Sequence, residues 1–203
     1  MASQRKLVFP GPAGSLEGML HLPDGAPQAV AVIAHPLPIM GGTMDNKVVT
    51  TLTRTFVELG YATLRFNFRG VGESAGSYDE GRGETVDAIA AAQFMRDEFG
   101  ELPLITAGFS FGGYVQARAA LELKPQRMVL VAPAVGRFEM PPVPADTLLI
   151  HGDMDEVVAL DDLLSWARPQ HLSVVVLTGA EHYFHGRLTQ LKQIVAQQLR
   201  GLA

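Results

Sequence analysis

The feature that most constrains the fold of this 203-residue chain is the alternation of short apolar runs with stretches of helical period. AVAVIA (29–34) is apolar without interruption, as a strand buried on both faces must be. YATLRF (61–66), LITAG (104–108), RMVLVA (127–132), TLLIH (147–151) and SVVVL (173–177) read as further strands. Between them, 45–59, 84–99, 111–123, 157–168 and 186–200 read as helices. In the first of these, Val48, Val49, Leu52, Phe56 and Leu59 recur near helical spacing and Gly60 stops the run. Such alternation predicts a mostly parallel central sheet covered by helices on both faces. Ahead of it, 7–10 and 16–22, joined by a Gly/Pro-rich turn, predict an N-terminal antiparallel hairpin. No repeat, low-complexity tract or linker divides the chain, so one α/β domain over 1–203 is expected. Only about fifteen residues separate the strand ending near Ala132 from that beginning near Thr147, which predicts no large cap domain.

Composition removes several function classes. The formal net charge is −5 and no block of Lys or Arg forms a stripe, so neither a nucleic acid nor an anionic membrane finds an electrostatic footprint. The absence of cysteine excludes disulfides, thiolate metal sites and a thiol nucleophile. The opening MASQRKLVFPGPAGS is broken by Pro10, Gly11 and Pro12 and lacks a signal-peptide apolar stretch. The longest apolar run, 29–34, is far below the roughly 18 residues of a membrane span. A cytoplasmic protein is therefore expected. A homodimer is compatible with the sequence, though no residue pattern requires one.

Gly108-Phe109-Ser110-Phe111-Gly112 is a G-x-S-x-G pentapeptide lying between a buried strand and a helix. A tight turn there lifts a serine hydroxyl above the carboxyl edge of the sheet, and small residues at both glycine positions let strand and helix close around it. The helix N-terminus adds N–H groups and a dipole that favour developing negative charge. A serine hydroxyl needs a base to take its proton, and the base needs a third group to fix its tautomer. On such a sheet the partners belong after later strands, in the order Ser, acid, His.

After TLLIH, three acids compete: Asp153, Asp155 and Glu156. Asp155 stands beyond the tight Gly152 turn, where its carboxylate can reach along the sheet edge. Asp153 suits the turn itself, Glu156 suits the first turn of the next helix, and any Asp here can also serve as an N-cap. After SVVVL, His182 and His185 compete as the base; strand-end placement favours His182, with His185 at the start of the final helix. Their H-x-x-H spacing has no third ligand nearby, so no metal site is expected.

HPLPIMGGTMDNKVV, NFRGVGES, GFSFGG, HGDMDEVV and GAEHYFHGR follow in one order along nearly the whole chain. In that order they resemble the small, lidless serine α/β hydrolases of the carboxylesterase and dienelactone-hydrolase-like group. The resemblance implies an α/β-hydrolase fold, with Ser110 as nucleophile, Asp155 as the orienting acid and His182 as base. It implies an oxyanion hole from the backbone N–H groups of Phe111 and of Leu37, the residue after His35-Pro36. Where many members carry glycine this chain has Pro36, which has no N–H to donate. NFRGVGES resembles a structural segment of the family, with Arg69 tying loops together. Its G-x-G spacing lacks the strand–helix context of a dinucleotide loop.

The reaction so implied is hydrolysis of a small-molecule ester through an acyl-enzyme, with no cofactor. Leu37, Ile39, Met40, Phe109, Phe111, Tyr183 and Phe184 neighbour the candidate catalytic positions. An apolar pocket for small acyl or aryl groups is expected, with Ile39, Met40 and Tyr183 as substrate contacts, although Phe109 and Phe184 equally suit the core. A thioesterase, an amidase or peptidase, and a non-catalytic binding protein on the same fold are the alternatives.

Overall fold

The computed structural model describes residues 3–200. Its eight strands are β1 (Ser3–Gly11), β2 (Gly14–Leu22), β3 (Ala29–Ala34), β4 (Tyr61–Phe66), β5 (Leu104–Phe109), β6 (Arg127–Val131), β7 (Leu148–Gly152) and β8 (Val174–Leu177). Five α-helices accompany them: α1 (Lys47–Glu58), α2 (Arg82–Phe99), α3 (Phe111–Leu123), α4 (Leu160–Ala167) and α5 (Leu188–Leu199). The strands form one sheet in the order β1-β2-β4-β3-β5-β6-β7-β8. The hairpin joins the sheet by antiparallel pairing of β2 with β4, and every pairing from β4 to β8 is parallel. This is the expected mostly parallel sheet with an antiparallel N-terminal hairpin.

Strand residues divide between two cores by simple alternation. Val30, Val32 and Ala34 of β3 belong to the core shared with α2, α3 and α4; Ala29, Ala31 and Ile33 belong to that shared with α1 and α5. Both sides of β3 are therefore fully covered, which is why AVAVIA carries no polar residue. At the far edge β8 behaves differently: Val174 and Val175 are half-buried and Val176 is exposed, because β7 is its sole strand neighbour. No helix among the described residues is long and apolar enough to cross a membrane.

Chain order reverses between β3 and β5, so the loops leaving their carboxyl ends part to opposite faces and open a crevice. The sequence places HPLPIMGG after β3 and the pentapeptide serine after β5, on the two banks of that crevice. Residues 132–147, between β6 and β7, contain no helix, so no lid covers the site from there.

Two boundaries differ from expectation for physical reasons. Helix α4 begins at Leu160 rather than near 157. The Asp155 side chain accepts the Val157 and Val158 amides, while the Val157 and Val158 carbonyls accept from Arg137 and His151. The amide bonds are those of a cap, but the two carbonyls are turned to side chains instead of to the amides four residues on that a helix opening near 157 would give them. Glu156 accordingly lies in a turn outside the helix. Helix α5 begins at Leu188, because Phe184 takes a left-handed φ of 55° and residues 181–187 form successive turns. His185 is in that turn.

Candidate active site

Ser110 occupies the sharp turn between β5 and α3 with φ 55° and ψ −118°. A non-glycine residue there costs on the order of 1–3 kcal/mol and persists only when its surroundings impose it. The two glycines supply that imposition. A Cβ at Gly108 would stand 2.2 Å from the Gly112 carbonyl oxygen, and one at Gly112 would stand 2.2 Å from that of Ala34. Only glycine permits α3 to press this closely on β5 and β3. Ser110 is held further by its amide donating to Val131 O at 3.0 Å, and by its carbonyl accepting from Gly113 and Ala134.

The loops after β7 and β8 are laced together, which brings two distant side chains to the serine. The Asp153 and Met154 amides donate to the Leu177 and Ala180 carbonyls, and Asp153 Oδ1 accepts from the Gly179 amide at 2.6 Å. A Cβ at Gly152 would lie 2.2 Å from Ala180 O, so this glycine sets the approach. Asp153 thus serves the turn. Across it, His182 Nδ1–H donates to Asp155 Oδ2 at 2.7 Å, and Ser110 Oγ–H reaches His182 Nε2 at 3.1 Å. All three side chains are buried or nearly so. His185 instead pairs with Glu181 on the surface.

Asp155 also acts as the cap considered from sequence, and the two tasks use different oxygens. Oδ1 accepts the Val157 and Val158 amides, each at 2.8 Å, leaving Oδ2 for His182. Burial pushes its carboxyl up, but the bonds from His182, Val158 and Val157 outweigh that and hold it below its ordinary value. Asp155 is therefore ionised at neutral pH and acceptor-only. It follows that Nδ1 of His182 carries the proton and Nε2 is free to receive one.

Among the described residues, the N–H groups of Leu37 and Phe111 donate to no protein acceptor, and both residues line the cavity in front of Ser110. That cavity of about 210 Å³ is also lined by Met40, Asn46, Arg137, Phe138, His182 and Tyr183. Of the expected substrate contacts, Met40 and Tyr183 line it, whereas Ile39 stands outside it, 65% exposed. Phe109 and Phe184 are core residues, although the Phe109 ring packs 5.0 Å from that of His182.

Two histidines that the sequence reading did not single out support the site from behind. His35 donates Nδ1–H to Pro36 O at 2.7 Å and accepts the Phe68 amide on Nε2 at 3.1 Å. Burial pushes it down to about 4 against the Pro36 bond, so it is neutral with a fixed tautomer. His151 donates Nε2–H to Val158 O at 2.9 Å and lies 3.6 Å from Asp155 Oδ2, also held low by burial. Their position directly at strand ends was the available signal; their partners were not.

The G-x-G segment proves to be packing. Gly72 adjoins the buried Glu17, where a Cβ would stand 2.3 Å from Oε2. Arg69 grips Asp87 of α2 through Nε and Nη2 at 3.0 and 2.7 Å, tying the loop after β4 to that helix. Among the described residues no group of three or more His, Cys, Asp or Glu side chains is placed to hold a metal ion.

Residues 25–145 match the family described as serine aminopeptidase, S33. A solved structure from Xanthomonas campestris, described as an α/β serine hydrolase without lid, is 38% identical. It superposes with a TM-score of 0.94, the match covering 98% of this chain and 94% of that one. An α/β serine hydrolase homologue from Coxiella burnetii is also 38% identical, with a TM-score of 0.86 over 96% of this chain and 97% of that one. A Pyrococcus furiosus esterase shares the fold at 18% identity, with a TM-score of 0.80 over 98% of this chain and 92% of that one.

Proposed function

The chain belongs to the small lidless α/β serine hydrolases, matching the serine aminopeptidase, S33, family, and from that premise we propose that it cleaves small acyl or aryl esters through a Ser110–His182–Asp155 triad. The observation that carries this is the relay itself. A buried carboxylate lies 2.7 Å from one ring nitrogen of His182, whose other nitrogen lies 3.1 Å from a strained serine hydroxyl.

In this reading His182 Nε2 takes the Ser110 proton as Oγ attacks the ester carbonyl. The developing oxyanion is received by the Phe111 and Leu37 N–H groups, each such donor contributing about 2.7–4 kcal/mol to transition-state stabilisation. Asp155 remains ionised and stabilises the imidazolium. Collapse expels the alcohol, which takes its proton from His182. Water, deprotonated in turn by His182, then releases the acid from Ser110. No metal or cofactor enters these steps.

Cleavage of an amide or peptide bond by the same residues is the second reading, favoured by the description of the matching family. Labelling with a fluorophosphonate probe is expected for the wild type and not for Ser110→Ala. Labelling of neither sinks the triad and favours a binding protein. Ratios of kcat/KM over matched ester, thioester and amide substrates separate the leaving groups. With no lid over the cavity, acetyl and butyryl p-nitrophenyl esters should turn over faster than palmitoyl; the reverse order contradicts an open, shallow site.

A further inference from the structure

The polar groups that line the cavity are lopsided. Arg137 is the one Asp, Glu, Lys or Arg side chain among the lining residues. Its Nε–H donates to Val157 O at 3.1 Å, which anchors the guanidinium plane and commits the side-on donor pair. Nη1 and Nη2 remain, and among the described residues no carboxylate lies within ion-pair distance of them. Asn46, also at the cavity wall, spends its Oδ1 on the Val48 amide at 2.9 Å, leaving Nδ2 as its remaining hydrogen-bonding group. With the free amides of Leu37 and Phe111, this wall presents several unspent donors, beside the Tyr183 hydroxyl that can donate or accept. Arg137 is exposed, so water serves its fork when a neutral acyl chain is bound, and a carboxylate is the ligand that would replace that water with a charge-assisted pair.

We propose that the preferred substrate is an ester whose acyl portion carries a carboxylate, and that Arg137 receives that carboxylate end-on through Nη1 and Nη2. The inference rests on the esterase reading above. A planar fork matched to two carboxylate oxygens gives directional recognition as well as charge. The acyl side is indicated by what lies on the other side of His182. The leaving alcohol must depart beside the ring that protonates it, and the groove there is bordered by Glu156 and Glu181. An anionic leaving group would meet like charge. An anionic acyl chain held in front of Ser110 meets Arg137, in a wall without carboxylates.

The test compares p-nitrophenyl hexanoate with the mono-p-nitrophenyl ester of adipic acid, equal in chain length and differing by a terminal carboxylate. The adipate-to-hexanoate ratio of kcat/KM is measured for wild type, Arg137→Gln and Arg137→Lys, with thermal melting to show that each is folded. The wild-type ratio is expected to fall roughly tenfold in Arg137→Gln, the scale of one charge-assisted bond at a solvent-reached site. Arg137→Lys, keeping charge and losing the fork, should fall between. Added salt should lower the wild-type ratio and leave that of Arg137→Gln level. Equal ratios in wild type and Arg137→Gln overturn this inference while the esterase reading stands. A folded wild type that cleaves neither ester overturns that reading, and this inference with it.

Discussion

The peptide between Pro36 and Leu37 has two ends with opposite tasks. Because the peptide unit is planar and trans, its carbonyl and its N–H point in opposite directions. The imidazole of His35 binds the Pro36 carbonyl on one side, so the Leu37 N–H is aimed away from it, on the side of the cavity that holds Ser110. Gly42 closes the loop against the same unit: a Cβ there would lie 2.0 Å from Pro36 O. Pro36 itself, without an N–H, adds no competing donor. His35→Ala should therefore lower kcat on the order of 10²-fold, the loss of the oxyanion donor proposed for Leu37, with KM little changed. Binding of a trifluoromethyl ketone, whose hemiketal oxygen occupies the oxyanion position, should weaken in proportion. An unchanged kcat in folded His35→Ala would show that the peptide keeps its orientation without the imidazole.

At the level of elements, the site depends on loops fastened to helices rather than on exposed charge pairs. The Arg69–Asp87 pair joins the β4–α2 loop to α2, with Asp87 fully buried and accepting three bonds from Arg69, one from its backbone amide. The Arg69 bond to Asp87 raises the guanidinium above its ordinary value, so it is charged at every working pH. Removing one partner leaves the other charge poorly paired, and Asp87→Ala should cost roughly 3–5 kcal/mol of stability. The Lys192–Glu58 pair links α5 to α1 through two exposed side chains, and Glu58→Ala should cost about 0–1 kcal/mol. Urea unfolding of the two variants checks the contrast; equal losses would mean that the buried pair is no more than a surface ornament. The same logic explains β7 and β8. Their loops meet because Gly152 lets Ala180 O approach, and only that meeting sets Asp155 against His182.

Across the whole molecule, three histidines are folded in neutral form. His35 and His21 are each pushed down to about 4, chiefly by burial, from an ordinary value of 6.5, and His151 is lowered in the same direction. The unfolded chain takes up these protons near pH 6.5, whereas in the folded chain His35 and His21 refuse theirs until about pH 4 and His151 is shifted in the same direction. Stability is then fully present above pH 6.5 and declines as pH falls toward 4, by at most ~1.4 kcal/mol per pH unit for each fully buried imidazole. The half-buried His21 contributes less than this. Asp155, held low, adds a further loss of the same sign at still lower pH. Melting temperatures measured from pH 7.5 down to 4.5 should fall steadily, and a flat profile would contradict the neutral, buried imidazoles.

By itself, the sequence determined what local pattern can carry. Largely apolar runs alternating with helical periods imply a two-faced sheet, because a strand covered on both sides holds few polar residues. Those must find partners, as Arg65 of β4 does with Asp45 and the Met44 carbonyl. Glycines on either side of Ser110, at a strand–helix junction, imply a sharp turn because no Cβ fits there. Strand-end placement favours His182 over His185, and the family resemblance points to Asp155 and His182. What only the tertiary structure supplies is the contact between those two side chains, with Asp153 in the turn and His185 on the surface. That contact depends on how two loops 27 residues apart are laced across neighbouring strands. Tertiary structure also decided where α4 begins, since the Val157 and Val158 carbonyls that an earlier helix would use are bound by Arg137 and His151. The task of His35 was equally invisible, its Phe68 partner lying 33 residues away. Local sequence specifies which conformations a segment can adopt; which side chains then touch follows from the register and closeness of strands.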